Sequence, residues 1–105
     1  GLRAQWRLEE AGGGLRAPGE SVLLSCRGSG LNFGYYEVWW YRQAPGGRPD
    51  WVSFIDSQGR VRNNRAAVQD RATPSRNNSQ SKSFLSLRAL QPRDSARYFC
   101  AVPTE

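Results

Sequence analysis

Histidine is absent from the 105 residues, and with it the commonest general base near neutral pH and the commonest metal ligand. Only two cysteines are present, too few for a zinc site without other strong ligands. No metal and no cofactor is therefore expected, and no nucleophile–base pair points to an enzyme. There is no apolar run of about 18 residues, so nothing in the sequence is expected to span a membrane, and attachment to one would need a downstream segment. No charged-then-apolar leader precedes a cleavage site, so any signal peptide is expected to have been removed already. Lysine is also nearly missing: Lys82 alone accompanies fourteen arginines, which with nine acidic residues leave a net charge of +6. Arginine-rich basic chains can bind nucleic acid. Here, however, the arginines scatter from Arg3 to Arg97 and only Arg60, Arg62 and Arg65 cluster, which describes a solvated basic surface and no nucleic-acid partner. The length fits one domain of about 100–150 residues. What remains is a small binding module.

Turn signals recur at short intervals: Gly12-Gly13-Gly14, Pro18-Gly19, Gly28-Ser29-Gly30, Pro45-Gly46-Gly47, Ser57-Gln58-Gly59 and Asn77-Asn78-Ser79. The segments between them alternate with period two, and none keeps a helical apolar stripe, so the fold expected is an all-β sandwich or barrel. In Ser21–Cys26, Val22, Leu24 and Cys26 share a face. In Val38–Gln43, Val38, Trp40 and Arg42 share one face and Trp39, Tyr41 and Gln43 the other. Ser83, Leu85 and Leu87 form another inward set. A strand over Asp94–Cys100 would turn Ala96, Tyr98 and Cys100 inward and Arg97 and Phe99 outward. These inward faces can meet in a core about 10 Å thick between two sheets.

Cys26 and Cys100 lie 74 positions apart, each at the end of an alternating strand and each inward. A bridge between them would remove roughly 4–5 kcal/mol of unfolded-state freedom on the loop-entropy estimate and would imply an oxidising compartment. The alternative is two free buried thiols in a cytosolic domain, which leaves the matching inward phases without a purpose.

Cys26, Trp40 and the run Asp94-Ser95-Ala96-Arg97-Tyr98-Phe99-Cys100 resemble the Cys…Trp…Cys pattern of an immunoglobulin domain, with Tyr98 at the tyrosine-corner position two residues before the second cysteine. The separation leaves room for the two extra strands of a variable-type domain. Gly12-Gly13-Gly14-Leu15, Leu24-Ser25-Cys26, Trp40-Tyr41-Arg42-Gln43-Ala44-Pro45-Gly46 and Trp51-Val52-Ser53 closely resemble an antibody heavy-chain variable domain. The resemblance covers about residues 5–101, so 5–105 are expected to form the variable-type domain and residues 1–4 to be an extension or tag remnant.

The resemblance implies a V-type β-sandwich of two antiparallel sheets that is extracellular, either secreted or part of a cell-surface receptor. It also implies that Arg71 pairs with Asp94 at the bottom of the sandwich, with Arg42 nearby. Antigen would be met by three loops at one end. The first is Leu31, Asn32, Phe33, Gly34, Tyr35, Tyr36 and Glu37. The second runs over about Phe54–Asn63 with Asp56, Ser57, Gln58, Arg60 and Arg62, and the third begins at Val102, Pro103 and Thr104. Tyr35 and Tyr36 have the large amphipathic surface and few rotors that a binding surface favours. A partner face would carry Trp39, Tyr41, Gln43, Arg48, Pro49, Trp51 and Phe99. Asn77, at the head of Asn77-Asn78-Ser79, is a glycosylation acceptor candidate on a turn.

Four features depart from the family pattern. Ala72, Pro74 and Ser83 stand where large apolar residues are usual, so the lower core is expected to be less filled, and Pro74 requires an edge strand or a bulge. Tyr41 replaces a small aliphatic residue. Arg48-Pro49 replaces a Gly-Leu pair that packs on a light chain, a change similar to camelid single-domain antibodies, although Trp51 is kept. After Cys100 come only Ala101-Val102-Pro103-Thr104-Glu105, the start of a third loop, so without a final strand the strand ending at Cys100 is expected to leave an open sheet edge. Three classes compatible with the resemblance are an antibody heavy-chain variable domain, a heavy-like variable domain of an unconventional T-cell receptor such as the marsupial μ chain, and an adhesion or co-receptor domain that binds a fixed partner through its sheet face. The stretch Asp94–Val102 resembles T-cell-receptor usage slightly more.

Overall fold

The computed structural model describes residues 7–30 and 32–103; the expected extension at residues 1–4 lies outside them. Eight strands follow in order: β1 (Arg7–Gly12), β2 (Val22–Ser29), β3 (Val38–Gln43), β4 (Pro49–Ile55), β5 (Val61–Asn63), β6 (Ala72–Asn77), β7 (Lys82–Leu87) and β8 (Arg97–Ala101). One helical turn, α1 (Arg65–Val68), and 3-10 turns at Phe33–Tyr35, Asn78–Gln80 and Pro92–Asp94 join them. The strands pair antiparallel in two sheets of four, ordered β1-β2-β7-β6 and β5-β4-β3-β8. The fold is an all-β sandwich.

The period-two alternation decides which side chains fill it. Leu24 and Cys26 from β2, Leu85 and Leu87 from β7, Val38 and Trp40 from β3, and Val52 and Ile55 from β4 bury together between the sheets. Cys26 and Cys100 are bonded, with Cα atoms 6.3 Å apart. Trp40, opposite Cys100 in the β3–β8 register, is 0% exposed in the same cluster. A bulge sets the other face. Trp40 pairs with Ser53 but Tyr41 with Trp51, so Val52 is the extra residue, and Val52 and Ser53 both turn inward. Without that step Trp51 and Phe54 could not both lie on the outward side of β4.

Pro74 is accommodated because β6 lies at the edge of its sheet, where a missing N–H costs no ladder bond. Ala72, Pro74 and Ser83 are all buried, and the Ser83 hydroxyl donates to the Ser75 carbonyl at 2.8 Å, so this corner closes with small side chains. A groove of about 370 Å³ opens instead between the end of β1 and β8, with Val22, Leu24, Leu87, Leu90 and Tyr98 in its walls. Among the described residues β8 has no strand on its far side, which is the open edge expected from the sequence.

The strand expected over Asp94–Cys100 begins only at Arg97. Pro92 opens a 3-10 turn that ends at Asp94, and the Asp94 carboxylate accepts the Gln91 amide at 2.8 Å, so Asp94 belongs to a turn. From there it reaches two buried guanidiniums. Arg42 Nη1 donates to Oδ1 at 2.9 Å; Arg71 donates to both oxygens, Nη1 to Oδ2 at 2.7 Å and Nη2 to Oδ1 at 3.0 Å. Arg42 therefore contacts Asp94 directly. It also donates to the Ala67 carbonyl at 3.0 Å, while the Tyr98 hydroxyl donates to the Asp94 carbonyl at 2.8 Å. Burial alone would raise the Asp94 carboxyl, but the hydrogen bonds from Arg71, the Gln91 amide and Arg42, with the Arg71 charge, hold it below the usual carboxylate range.

A carboxyl whose folded pKa lies below its unfolded value of about 3.9 stabilises the fold fully above that value. The contribution is lost as pH falls through the lower folded pKa. Breaking such a buried cluster by removing one partner costs about 3–5 kcal/mol. Asp94→Asn should therefore lower neutral-pH stability by that order in chemical denaturation. It should also flatten the fall in stability that the unsubstituted chain shows below about pH 4.

Candidate functional site

The connections β2–β3 and β4–β5 meet at one end of the sandwich. In the first, Phe33 is 1% exposed and its backbone opens a 3-10 turn that lifts Tyr35 into solvent at 79% exposure. Tyr36 leans back on the core, and Asn32 is exposed. Gly28 makes room for Phe33: a Cβ there would come within 2.5 Å of the ring. Glu37 accepts the Trp39 indole N–H at 2.7 Å, so its carboxylate is committed to the neighbouring sheet face.

The second connection is folded on Asp56. Its Oδ1 accepts the amides of Gln58 at 2.9 Å and Arg60 at 2.8 Å, and Oδ2 takes Arg60 Nε at 2.6 Å. Gly59 turns the chain at φ +91°. Burial alone would raise the Asp56 carboxyl, but the Arg60 and Gln58 amides and the Arg60 side chain bring it below its ordinary range.

The residue joining the two connections is Arg76, near the end of β6, which the sequence reading did not single out. Its Nη1 donates to the Asp56 carbonyl at 2.7 Å and its Nη2 to the Phe33 carbonyl at 3.1 Å. Its Nε donates to Asn78 Oδ1 at 2.5 Å, and the guanidinium lies 5.2 Å from the Phe33 ring centroid. Asn78 Nδ2 reaches on to the Ser57 carbonyl at 3.4 Å. Burial pulls the Arg76 guanidinium down from its ordinary value, and the Asp56 charge opposes that. A signal for Arg76 was available. Ala72, Pro74 and Arg76 share the inward phase of β6, and an arginine turned inward must find acceptors.

Several residues expected in the loops have other positions. Phe33 and Val102 are buried in the core cluster and form the floor beneath the loops. Phe54 belongs to β4 and Arg62 to β5, opposite one another in register, so both lie on the sheet. They differ from the expectation because the β4–β5 hairpin continues pairing past the point where the loop was thought to start. Pro103 is exposed; Leu31 and Thr104 lie outside the described residues.

The outward face of β3, β4 and β8 is aromatic. Trp39 lies 4.7 Å from Phe54 and 5.7 Å from Trp51 between ring centroids, and Tyr41 stacks on Phe99 at 5.6 Å. Arg97 covers the Phe99 ring at 4.9 Å, and Gln43 donates to the Gly47 carbonyl at 2.9 Å. By packing on one another, these rings stay half-buried instead of fully exposed. Arg48 and Pro49 are exposed at the rim, and Trp51 Nε1 is buried with no acceptor among the described residues.

Two four-stranded antiparallel sheets, a bonded Cys26–Cys100 pair, a buried Trp40 and a Tyr98 corner are thus assembled around one core. The immunoglobulin V-set domain family matches residues 15–105. The chain belongs to the immunoglobulin V-set family. In V-set terms β4 and β5 are the two strands that distinguish a variable-type from a constant-type sandwich; they carry the second loop, and β4 adds Trp51 and Phe54 to the aromatic face. Among the described residues of this V-set domain no group of three His, Cys, Asp or Glu side chains could hold a metal ion.

Arg76→Ala should free both connections at once. Losing several partly buried charge-assisted bonds should lower stability by about 1.5–3 kcal/mol and speed amide hydrogen exchange at residues 33–36 and 56–60, with the lower sandwich unaffected. Exchange that accelerates evenly over the whole domain would contradict this role.

Proposed function

We propose that this V-set domain is an antigen-recognition domain of an adaptive immune receptor, heavy-chain-variable-like and closer to the T-cell-receptor type than to an antibody. The observation that carries the reading is the loop end itself. Exposed Tyr35, Asn32, Gln58 and Arg60 stand on a base that Arg76 and Asp56 hold in one shape. A rigid amphipathic ring flanked by adaptable hydrogen-bonding groups suits protein recognition at low ordering cost. The lean towards a T-cell receptor rests on the stretch Asp94–Val102. The Cys26–Cys100 bond supports an oxidising compartment, hence a secreted or cell-surface location.

Related transcripts from several lymphocyte clones, sequenced through Glu105 and beyond, test this. Variation should concentrate at residues 32–37, 56–60 and after Cys100, followed by a joining segment of the receptor locus. Identical loops in all clones would instead support the second reading, an adhesion or co-receptor domain whose fixed partner sits on the face of Trp39, Tyr41, Trp51, Phe54 and Phe99. That reading is favoured by one observation, the cluster of five half-buried aromatic rings gathered on that face.

The domain is further proposed to act without a second variable domain. Arg48 and Pro49 occupy the rim where a partner would anchor, and desolvating an unpaired guanidinium there would be costly. A third loop folded back over Trp39 and Trp51 would cover the rings. Sedimentation should show a monomer, and replacing Arg48-Pro49 with Gly-Leu should increase self-association. Unchanged behaviour of that variant, or a stable complex with another variable domain on this face, would refute the proposal.

A further inference from the structure

The sheet β1-β2-β7-β6 turns a second face to solvent, opposite the aromatic one. Its outward rows follow from the register: Arg27, Lys82 and Asn77; Ser25, Phe84 and Ser75; Leu23, Ser86 and Thr73. Apart from Leu23 these side chains are polar or charged, and Phe84 is the one aromatic ring among them. It is half-buried, yet it points away from the core, and its cross-strand neighbours on both sides are serines. Part of the ring therefore stays in reach of solvent on this face. Diagonal to Phe84, at the end of the edge strand, stands Asn77, about 7–8 Å away by sheet geometry and within reach of a large group attached there.

Asn77 heads the triplet Asn77-Asn78-Ser79. Its side chain is exposed, and its Oδ1 accepts the Ser79 hydroxyl at 2.7 Å. The hydroxyl and the acceptor amide of the triplet are thus already in contact, and Nδ2 is left pointing to no acceptor among the described residues. The middle residue is committed elsewhere: Asn78 bonds Arg76 and the Ser57 carbonyl, which orients the turn and keeps its own amide on the loop side.

We propose that Asn77 carries an N-linked glycan whose first sugars pack over the Phe84 ring and close this face of the sandwich to protein partners. The donor is a lipid-pyrophosphate-linked oligosaccharide. The Asn77 Nδ2–C1 bond forms as the C1–O bond to pyrophosphate breaks; the pyrophosphate leaves with the electron pair, and one amide proton is released to solvent. The apolar face of a pyranose ring on an aromatic side chain removes apolar surface of both from water. A glycan rooted at Asn77 lies on the sheet opposite Trp39 and Trp51, so it leaves the aromatic face open. The inference concerns a modification site and does not rest on the receptor assignment.

The test is secretion of the chain from cultured animal cells, with intact mass measured before and after peptide N-glycosidase digestion. One glycan is expected; digestion should remove it and leave Asp at position 77. It should be lost in Asn77→Gln and Ser79→Ala and kept in Asn78→Gln and Ser79→Thr. Secreted chain without a glycan, or with one that survives Ser79→Ala, overturns the site. For the packing, thermal midpoints of glycosylated and Asn77→Gln protein are compared with Phe84 present, with Phe84→Ala and with Phe84→Leu. The glycan should raise the midpoint by a few degrees only where the aromatic ring is present. A rise that is equal in all three backgrounds, or absent with Phe84, overturns the contact. Should Phe84→Ala not be secreted, the Phe84→Leu pair alone gives the same discrimination.

Discussion

A single buried carboxylate holds the lower end of this sandwich together. Asp94 receives Arg42 from β3 and Arg71 from the approach to β6, while its own backbone carbonyl takes the Tyr98 hydroxyl at the start of β8. Three charges from three parts of the chain cannot be buried singly, because each would face a desolvation cost of several kcal/mol. They can be buried together only when both sheets are in register. The cluster therefore constrains how β8 enters the sheet, and through β8 it constrains Cys100, the disulfide and Trp40. The turn at Pro92–Asp94 exists to deliver that carboxylate, which is why the strand starts three residues later than alternation alone suggests.

The upper end repeats the device with the roles reversed. There one guanidinium, Arg76, gathers carbonyls from Phe33 and Asp56 and the amide side chain of Asn78. Its partners are mostly neutral, so its role is to fix backbone more than to balance charge. The loops above it need no apolar core of their own. Phe33 below Gly28 and the Asp56 turn make the base, and the groups able to meet another molecule stand on top. The framework is charge-locked at the bottom and hydrogen-bond-locked at the top, with the disulfide and Trp40 between.

The two outward faces differ in kind. That of β3, β4 and β8 is aromatic and partly protects itself by ring packing, with a Trp51 N–H left over. The face of β1, β2, β7 and β6 is polar except for Phe84 and the largely exposed Leu23. A bulge at Val52 creates the first, since it turns both Trp51 and Phe54 outward. The groove beside β8 belongs to neither face.

Alternation and cysteine phase were enough to read an all-β sandwich or barrel, the disulfide and the inward Trp40 and Arg42, because period-two patterning is a local property and burial follows it directly; the V-type sandwich came from the family resemblance. That Pro74 required an edge strand or a bulge was legible for the same reason: one residue's missing donor constrains its strand wherever the strand lies, and the structure takes the edge. What local pattern could not carry was any contact whose partners are far apart in sequence. Arg76 finds its acceptors 20 and 43 residues away. Phe33 and Val102 look like loop residues until the fold places a core beneath them. Phe54 and Arg62 become sheet residues only when β5 pairs with β4. The sequence by itself determined which side chains of β2, β3 and β7 face inward. Only the tertiary structure decided which of them meet, because hydrogen bonds, ion pairs and ring contacts depend on distances that no spacing along the chain defines.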